Sequence, residues 1–337
     1  MPDVGGAPLL DVRDLHVSFR TEAGVVRAVD GLSLSIGYGD VLGIVGESGS
    51  GKTVSMMAVM RLIRDPNALV EGQVLYRGRD LLQLSPREMR EVRGGEIAMI
   101  FQDPMTALTP VYTVGWQIAE QVRAHQRLTR RQARARSLEL LAEVGISDPG
   151  RRVDDYPHQF SGGMRQRVMI AMAVSCNPSL LIADEPTTAL DVTIQAQILA
   201  LIARLRRDHG SSIVLVTHDM GVVSEVAERV AVMYAGGVVE EGPKRAVFRE
   251  PQHPYTWGLL DSMPRVDRPR ARRLVSIAGA PPSALSPPAG CRFEPRCPHR
   301  FDRCSIRPEL AERVAQDRRD ACHLDPSVRP ALRRKSA

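Results

Sequence analysis

The sequence predicts an α/β fold: a mostly parallel sheet with an antiparallel β subdomain, an all-helical insert and a C-terminal extension containing cysteines. Three observations predict it. Val41–Val45 is a short apolar run that ends in a glycine-rich turn, and similar runs recur at Ile97–Phe101, Leu180–Ala183 and Ile213–Thr217 among stretches of helical periodicity. Leu9–Phe19 and Val25–Ile36 alternate apolar and polar residues about Gly24, the pattern of an antiparallel hairpin with one buried face. From about Val114 to Val144 the pattern is helical.

The remaining elements follow in order. After the turn Gly37–Asp40 and the strand Val41–Val45, Val54–Ile63 reads as a helix and Gly72–Tyr76 as a strand. Ser85 and Glu88 have the spacing of a reciprocal capping box, as do Thr129 and Gln132 within the helical block, where Arg130, Arg131, Arg134 and Arg136 form an exposed face and Gly145 is the stop. Helices are predicted from Ser161 to about Ser175 and over Thr193–Arg207, then short strands near Val230–Tyr234 and Val238–Glu240. Order is expected to weaken beyond about Gly242, and Gly279–Gly290 reads as a proline-rich connector.

Composition sets the class. With 337 residues, 43% of them hydrophobic and 25% charged, the chain can bury one large core or two smaller ones. No apolar run approaches the ~18 residues of a membrane helix. The opening MPDVGGAPLL lacks a basic region followed by an apolar core, so a cytoplasmic chain is expected. The net charge of +6 would permit contact with nucleic acid or an acidic membrane, yet aromatics make up only 4%, which leaves few platforms for base stacking.

The chemistry starts at the stretch VLGIVGESGSGKT. Gly46, Gly49 and Gly51 can take backbone angles that let successive N–H groups converge on an anion, with Glu47, Ser48 and Ser50 completing the loop. Lys52 can reach β- and γ-phosphate oxygens, and the Thr53 hydroxyl can ligate Mg²⁺. The plainer alternative is a glycine-rich turn with a solvated lysine. The run Leu180–Ala183 leads into Asp184 and Glu185, adjacent carboxylates suited to holding Mg²⁺ and to deprotonating an attacking water; alternatively they are an acidic flank for the next helix. Ser161, Gly162 and Gly163 open a predicted helix and form a second anion cradle, or an ordinary N-cap. One ATP needs no second cradle within one subunit, so the second is expected to serve a partner subunit's nucleotide.

GESGSGKT, FSGGMRQR, IADEPTTALD and Thr217-His218-Asp219, in this order, resemble the ATP-binding subunits of ABC transporters over roughly three-quarters of the chain. The resemblance implies a P-loop NTPase core with ATP and Mg²⁺ as cofactors. It implies that Phe19 stacks on adenine, that Gln102 in FQDP joins the Mg²⁺ site and couples it to membrane subunits, that His218 contacts the γ-phosphate and that Asp191 lies at a dimer interface. Phe160 and Met164 replace the usual leucine and glutamine of the signature. Read alone, His218 could equally be a structural histidine, and Phe19 a core residue.

Cys291, Cys297, Cys304 and Cys322, spaced C-x5-C-x6-C-x17-C, follow the proline-rich segment. Four thiols suit an iron–sulfur cluster, which tolerates wide gaps; zinc and free thiols are the alternatives, and disulfides are disfavoured in a cytoplasmic ATPase. Cys176 ends an apolar helix and is expected in the core. The cysteine-containing tail is similar to the extension of dipeptide and oligopeptide importer ATPases, some of which carry a four-iron, four-sulfur cluster. The implied domains are an ATPase over 1–262, with its helical insert at about 103–165, and the extension over 263–337. The implied partners are a second, similar ATPase in a heterodimer, two transmembrane permeases and an extracytoplasmic substrate-binding protein, with the chain peripheral on the cytoplasmic face of the membrane and no nucleic acid. A nickel or other small-solute importer, a soluble ATPase of this type acting on nucleic acid or ribosomes, and a regulatory nucleotide-binding module are the competing readings.

Overall fold

The computed structural model describes residues 6–188, 190–263, 277–315 and 317–336. They fall into two units, one drawn from Met1–Ile36, Val41–Leu82 and Val216–Ala337, the other from Gly37–Asp40 and Gln83–Leu215. The fold class is the expected one, α/β with an antiparallel sheet and a mixed one.

In the first unit the hairpin forms as predicted: Leu10–Thr21 and Gly24–Ile36 pair antiparallel, closing at Thr21 opposite Gly24. Ala68–Tyr76, longer than the predicted Gly72–Tyr76, pairs with the other edge of Leu10–Thr21, and Arg79–Asp80 completes four strands. Val41–Val45 is buried along its whole length, the signature of a parallel strand covered on both faces, and it pairs parallel with Arg229–Tyr234. A helix, Met220–Val226, packs against it, and Gly43 makes room: a Cβ there would lie 2.7 Å from Val223 Cγ1. The helix after the glycine-rich loop runs Lys52–Val59 rather than Val54–Ile63. It ends early because Arg61 turns left-handed at φ +50°, which lets the Arg61 and Leu62 amides close on the Ala58 and Met57 carbonyls.

The second unit contains parallel strands Ile97–Ile100 and Leu180–Asp184, with Ser212–Thr217 next in order. Its helices begin where the sequence places caps. Ser85 and Glu88 close one reciprocal capping box, Thr129 and Gln132 another, and Thr113 accepts the Trp116 amide at the start of Val114–His125. Arg130–Glu143 stops before Gly145, at φ +77°. Arg130, Arg131 and Arg134 are exposed, while Arg136 is half-buried and bonded to Glu139.

The expectation of weak order beyond Gly242 is corrected. Gly237–Pro243 pairs with Arg229–Tyr234 and, on its other side, with Arg318–Asp320, which forms a small antiparallel pair with Ala311–Ala315. Helices Lys244–Arg249 and Pro254–Asp261 lie between; both are too short to show a clear hydrophobic period, although Pro254 at the first helical position and His253 as its cap are ordinary start signals. Buried polar contacts join buried apolar side chains such as Tyr255, Trp257 and Phe293 in holding this stretch. The Glu240 carboxylate accepts the Gln252 and His253 amides, and burial pushes its pKa up to about 7. Arg329, with its side chain 1% exposed, pairs with Asp320 at 3.0 Å and donates to the Leu324 carbonyl at 2.6 Å. Removing one partner of such a pair leaves a buried charge, so Arg329→Met is expected to cost about 3–5 kcal/mol, read as a lower urea midpoint by circular dichroism.

Candidate functional site

The glycine-rich loop of the first unit has the backbone the sequence requires. A Cβ at Gly46 would lie 2.2 Å from the Met233 carbonyl oxygen, and one at Gly51, where φ is +97°, would lie 2.5 Å from that of Ala28. Gly49 adds φ +78° at an exposed position. Lys52 is almost fully buried, and its Nζ donates to the carbonyls of Gly46 at 2.8 Å and Glu47 at 3.0 Å. The charge that would meet a phosphate is thus held by the loop itself. Ser50 Oγ is buried and has no hydrogen-bond partner among the described residues. A cradle that no Cβ can enter, an orphan hydroxyl and a held lysine suit a polyphosphate, and the Thr53 hydroxyl, one residue into the helix, is a suitable oxygen donor for Mg²⁺.

The loop also has contacts that motif reasoning missed. The Glu47 carboxylate pairs with both terminal nitrogens of Arg296, at 2.7 and 3.1 Å, and the Glu47 amide donates to the Tyr255 hydroxyl at 2.9 Å. No short-range signal marks this pair, because its partners are 249 residues apart. Phe19 is half-buried in its strand opposite Val26 and Ala68. His218 is exposed just beyond Ser212–Thr217; next to it, Asp219 caps Met220–Val226 by accepting the Gly221 amide at 2.7 Å.

In the second unit Asp184 ends its strand almost fully buried, and Glu185 follows at φ +46°, a left-handed conformation that costs a non-glycine residue energy and is concentrated at functional sites. The strain is held in place by two donors to Glu185 Oε2: Gln102 Nε2 at 3.1 Å and Thr188 Oγ1 at 2.8 Å. Gln102 and Glu185, separated by 83 residues, are therefore brought together, whereas Thr188 was not singled out although it stands in the same PTT run. Ser161 caps Gly162–Val174, accepting the Met164 amide at 3.4 Å. One contact ties that helix to the carboxylate turn, and another ties its start to the helix Val192–His209. Buried Gln166 donates to the Pro186 carbonyl at 2.7 Å, and Gly163 admits Ile194, whose Cγ2 would lie 2.9 Å from a Cβ. Asp191, exposed, caps the helix that carries Ile194 by accepting its amide at 2.9 Å.

All five cysteines are free. Cys176 is half-buried beside the Gln121 carbonyl, not fully in the core, because its helix ends at Val174. Cys291, Cys297, Cys304 and Cys322 lie within range of one another's charge, and the Cys291 amide donates to the Cys304 carbonyl at 2.8 Å. Burial pushes the Cys297 thiol up to about 11 and the Cys322 thiol up to about 12. Among the described residues no three His, Cys, Asp or Glu side chains are arranged to hold a metal ion.

Residues 29–188 match the ABC transporter family, and residues 239–304 match the oligopeptide/dipeptide transporter C-terminal region. The chain is 49% identical over 326 residues to the dipeptide transport ATP-binding protein DppD of Escherichia coli (strain K12), covering 96% of this chain and 99% of that one. It is 53% identical over 297 residues to the DppD of Bacillus subtilis (strain 168), covering 88% of each, and 53% identical over 286 residues to the oligopeptide transport ATP-binding protein OppD of the same organism, covering 85% and 80%. Among solved structures, the dimeric ATP-binding cassette MJ0796 in a post-hydrolysis state with ADP and Pi aligns at TM-score 0.63 and 28% identity, over 70% of this chain and 99% of that one. With a matching fold, two matching family regions and relatives of about 50% identity along most of its length, the chain belongs to the ABC transporter ATPases, among the dipeptide and oligopeptide transport ATP-binding proteins.

Proposed function

We propose that this ATPase drives import of dipeptides and oligopeptides, and that the residue carrying its chemistry is Glu185, held by Gln102 and Thr188. The peptide reading rests on the names of the relatives and on the matched C-terminal region. In this reading the transport path belongs to partner subunits, two permeases fed by an extracytoplasmic binding protein, with this chain peripheral on the cytoplasmic face; among its described residues no helix is long and apolar enough to cross a membrane.

In this reading Gly46–Thr53 wraps the phosphates, Lys52 moves from the loop carbonyls to the β- and γ-oxygens, and Phe19 stacks on the adenine. Thr53 and Asp184 would hold Mg²⁺, which would supply positive charge beside the phosphates; Gln102, whose nitrogen is engaged by Glu185, would offer its oxygen to the same ion. Glu185 orients the attacking water and takes its proton, while His218 contacts the γ-phosphate. Ser161–Gly163 serves the nucleotide of a second, similar cassette, with Asp191 at the shared interface, so that ATP closes the pair and hydrolysis reopens it. The dimeric state of the related cassette and the tie between the Ser161 helix and the carboxylate turn support this arrangement.

The thiols of Cys291, Cys297, Cys304 and Cys322 would supply the four sulfur donors of an iron–sulfur cluster.

Two measurements test these roles. Glu185→Gln is expected to lower ATP turnover by at least ~10²–10⁴-fold, and labelled-dipeptide uptake by the assembled transporter with it, while ATP still binds. Near-normal hydrolysis would remove Glu185 from the base role, and wild-type uptake of a different solute class would overturn the peptide assignment. Protein purified without oxygen is expected to be brown and to contain iron and acid-labile sulfide; a colourless preparation with zinc, or with neither metal, would reject the cluster.

A further inference from the structure

Arg296 lies in the extension, in the short turn Glu294–Arg296 between Cys291 and Cys297, yet its contacts lead to the phosphate loop. Its side chain is 4% exposed. All five guanidinium N–H donors have an acceptor in reach: Nε bonds to the Ala278 carbonyl at 3.0 Å, Nη1 to Glu47 Oε2 at 2.7 Å and the Tyr234 hydroxyl at 3.3 Å, and Nη2 to Glu47 Oε1 at 3.1 Å and the Ile277 carbonyl at 3.2 Å. A planar fork of five donors is the one side chain that fills this socket, and lysine, with three donors on a point charge, does not.

The partner is the second residue of the loop, Glu47, and it is fixed at three points. Its carboxylate is gripped by Arg296, its amide donates to the Tyr255 hydroxyl at 2.9 Å, and its carbonyl accepts Lys52 Nζ at 3.0 Å. Two of the three holds come from residues beyond Gly242. A buried ion pair adds little net stability, because desolvation offsets the attraction; what a two-pronged pair supplies is geometry. That geometry matters here because a phosphate loop binds through the directions of its amides, and misplacement on the scale of an ångström is costly.

We infer that Arg296 is a positioning residue for ATP binding: through its paired hydrogen bonds to the Glu47 carboxylate, the C-terminal extension holds the phosphate loop and its lysine in the conformation that receives the nucleotide. The extension is thus part of the nucleotide site as well as an appendage to the cassette. The inference needs ATP binding alone and not the identity of the cargo.

The experiment is titration of the full-length chain with MgATP by isothermal calorimetry, alongside ATPase kinetics. Wild-type binding is established first, so that a failure of the ATP site itself is seen separately. Arg296→Ala is expected to raise Kd and KM for ATP about tenfold, a free-energy change of about 1.4 kcal/mol, with kcat changing much less. Arg296→Lys is expected to recover little of the loss. Glu47→Gln is expected to weaken binding similarly, and the double variant Glu47→Gln/Arg296→Ala to bind no worse than either single one, because both remove one interaction. A purely structural staple would lower the melting temperature and leave Kd alone. Kd within twofold of wild type in folded Arg296→Ala, or single effects that multiply in the double variant, overturns the inference. Should Arg296→Ala not fold, Glu47→Gln decides by itself, since it leaves the loop backbone and the arginine in place.

Discussion

The constraint on which the phosphate loop depends is the space at Gly46. The Met233 carbonyl would stand 2.2 Å from any Cβ there, so the loop presses backbone to backbone against the strand Arg229–Tyr234. That close approach lets a turn of eight residues fold over a buried lysine and still present amides outward. Substituting any side chain would push the loop off the strand, and the carbonyls that hold Lys52 would move with it. Binding and fold are therefore one requirement at this position.

A similar economy holds the extension together. Its elements are short, and arginines do much of the joining. Asp30, in the hairpin, receives Arg292 and Arg307 and also contacts His16. Burial alone would raise the Asp30 pKa, but the two guanidinium charges outweigh it and hold the carboxyl below its usual range. Glu241 takes Arg229 and Arg319, and Asp320 takes Arg313 and Arg329. In each, two arginines meet one carboxylate and satisfy a group that burial would otherwise penalise. Arg296 belongs to this set and differs from the rest in gripping the glycine-rich loop, at Glu47.

Legibility followed range. Strands and caps whose causes lie within a few residues, such as Val41–Val45, the Thr129–Gln132 box and the Ser161 cap, were readable because period and capping chemistry are local. The helix after the loop was overextended because the left-handed turn at Arg61 follows no strong residue preference. The stretch after Gly242 was underestimated because its helices are too short to show a period and its strands are stabilised by distant partners.

The residue types of the candidate site are legible in the chain: glycines where φ must be positive, a lysine, adjacent carboxylates and a second serine–glycine helix start can be recognised from residue type and spacing, because each lies within one short segment. Folding alone decided how those segments are held. The bond from Gln102 to Glu185 and the grip of Arg296 on Glu47 arise between residues that the chain keeps far apart. Such contacts depend on where packing places each partner, and no local pattern records that.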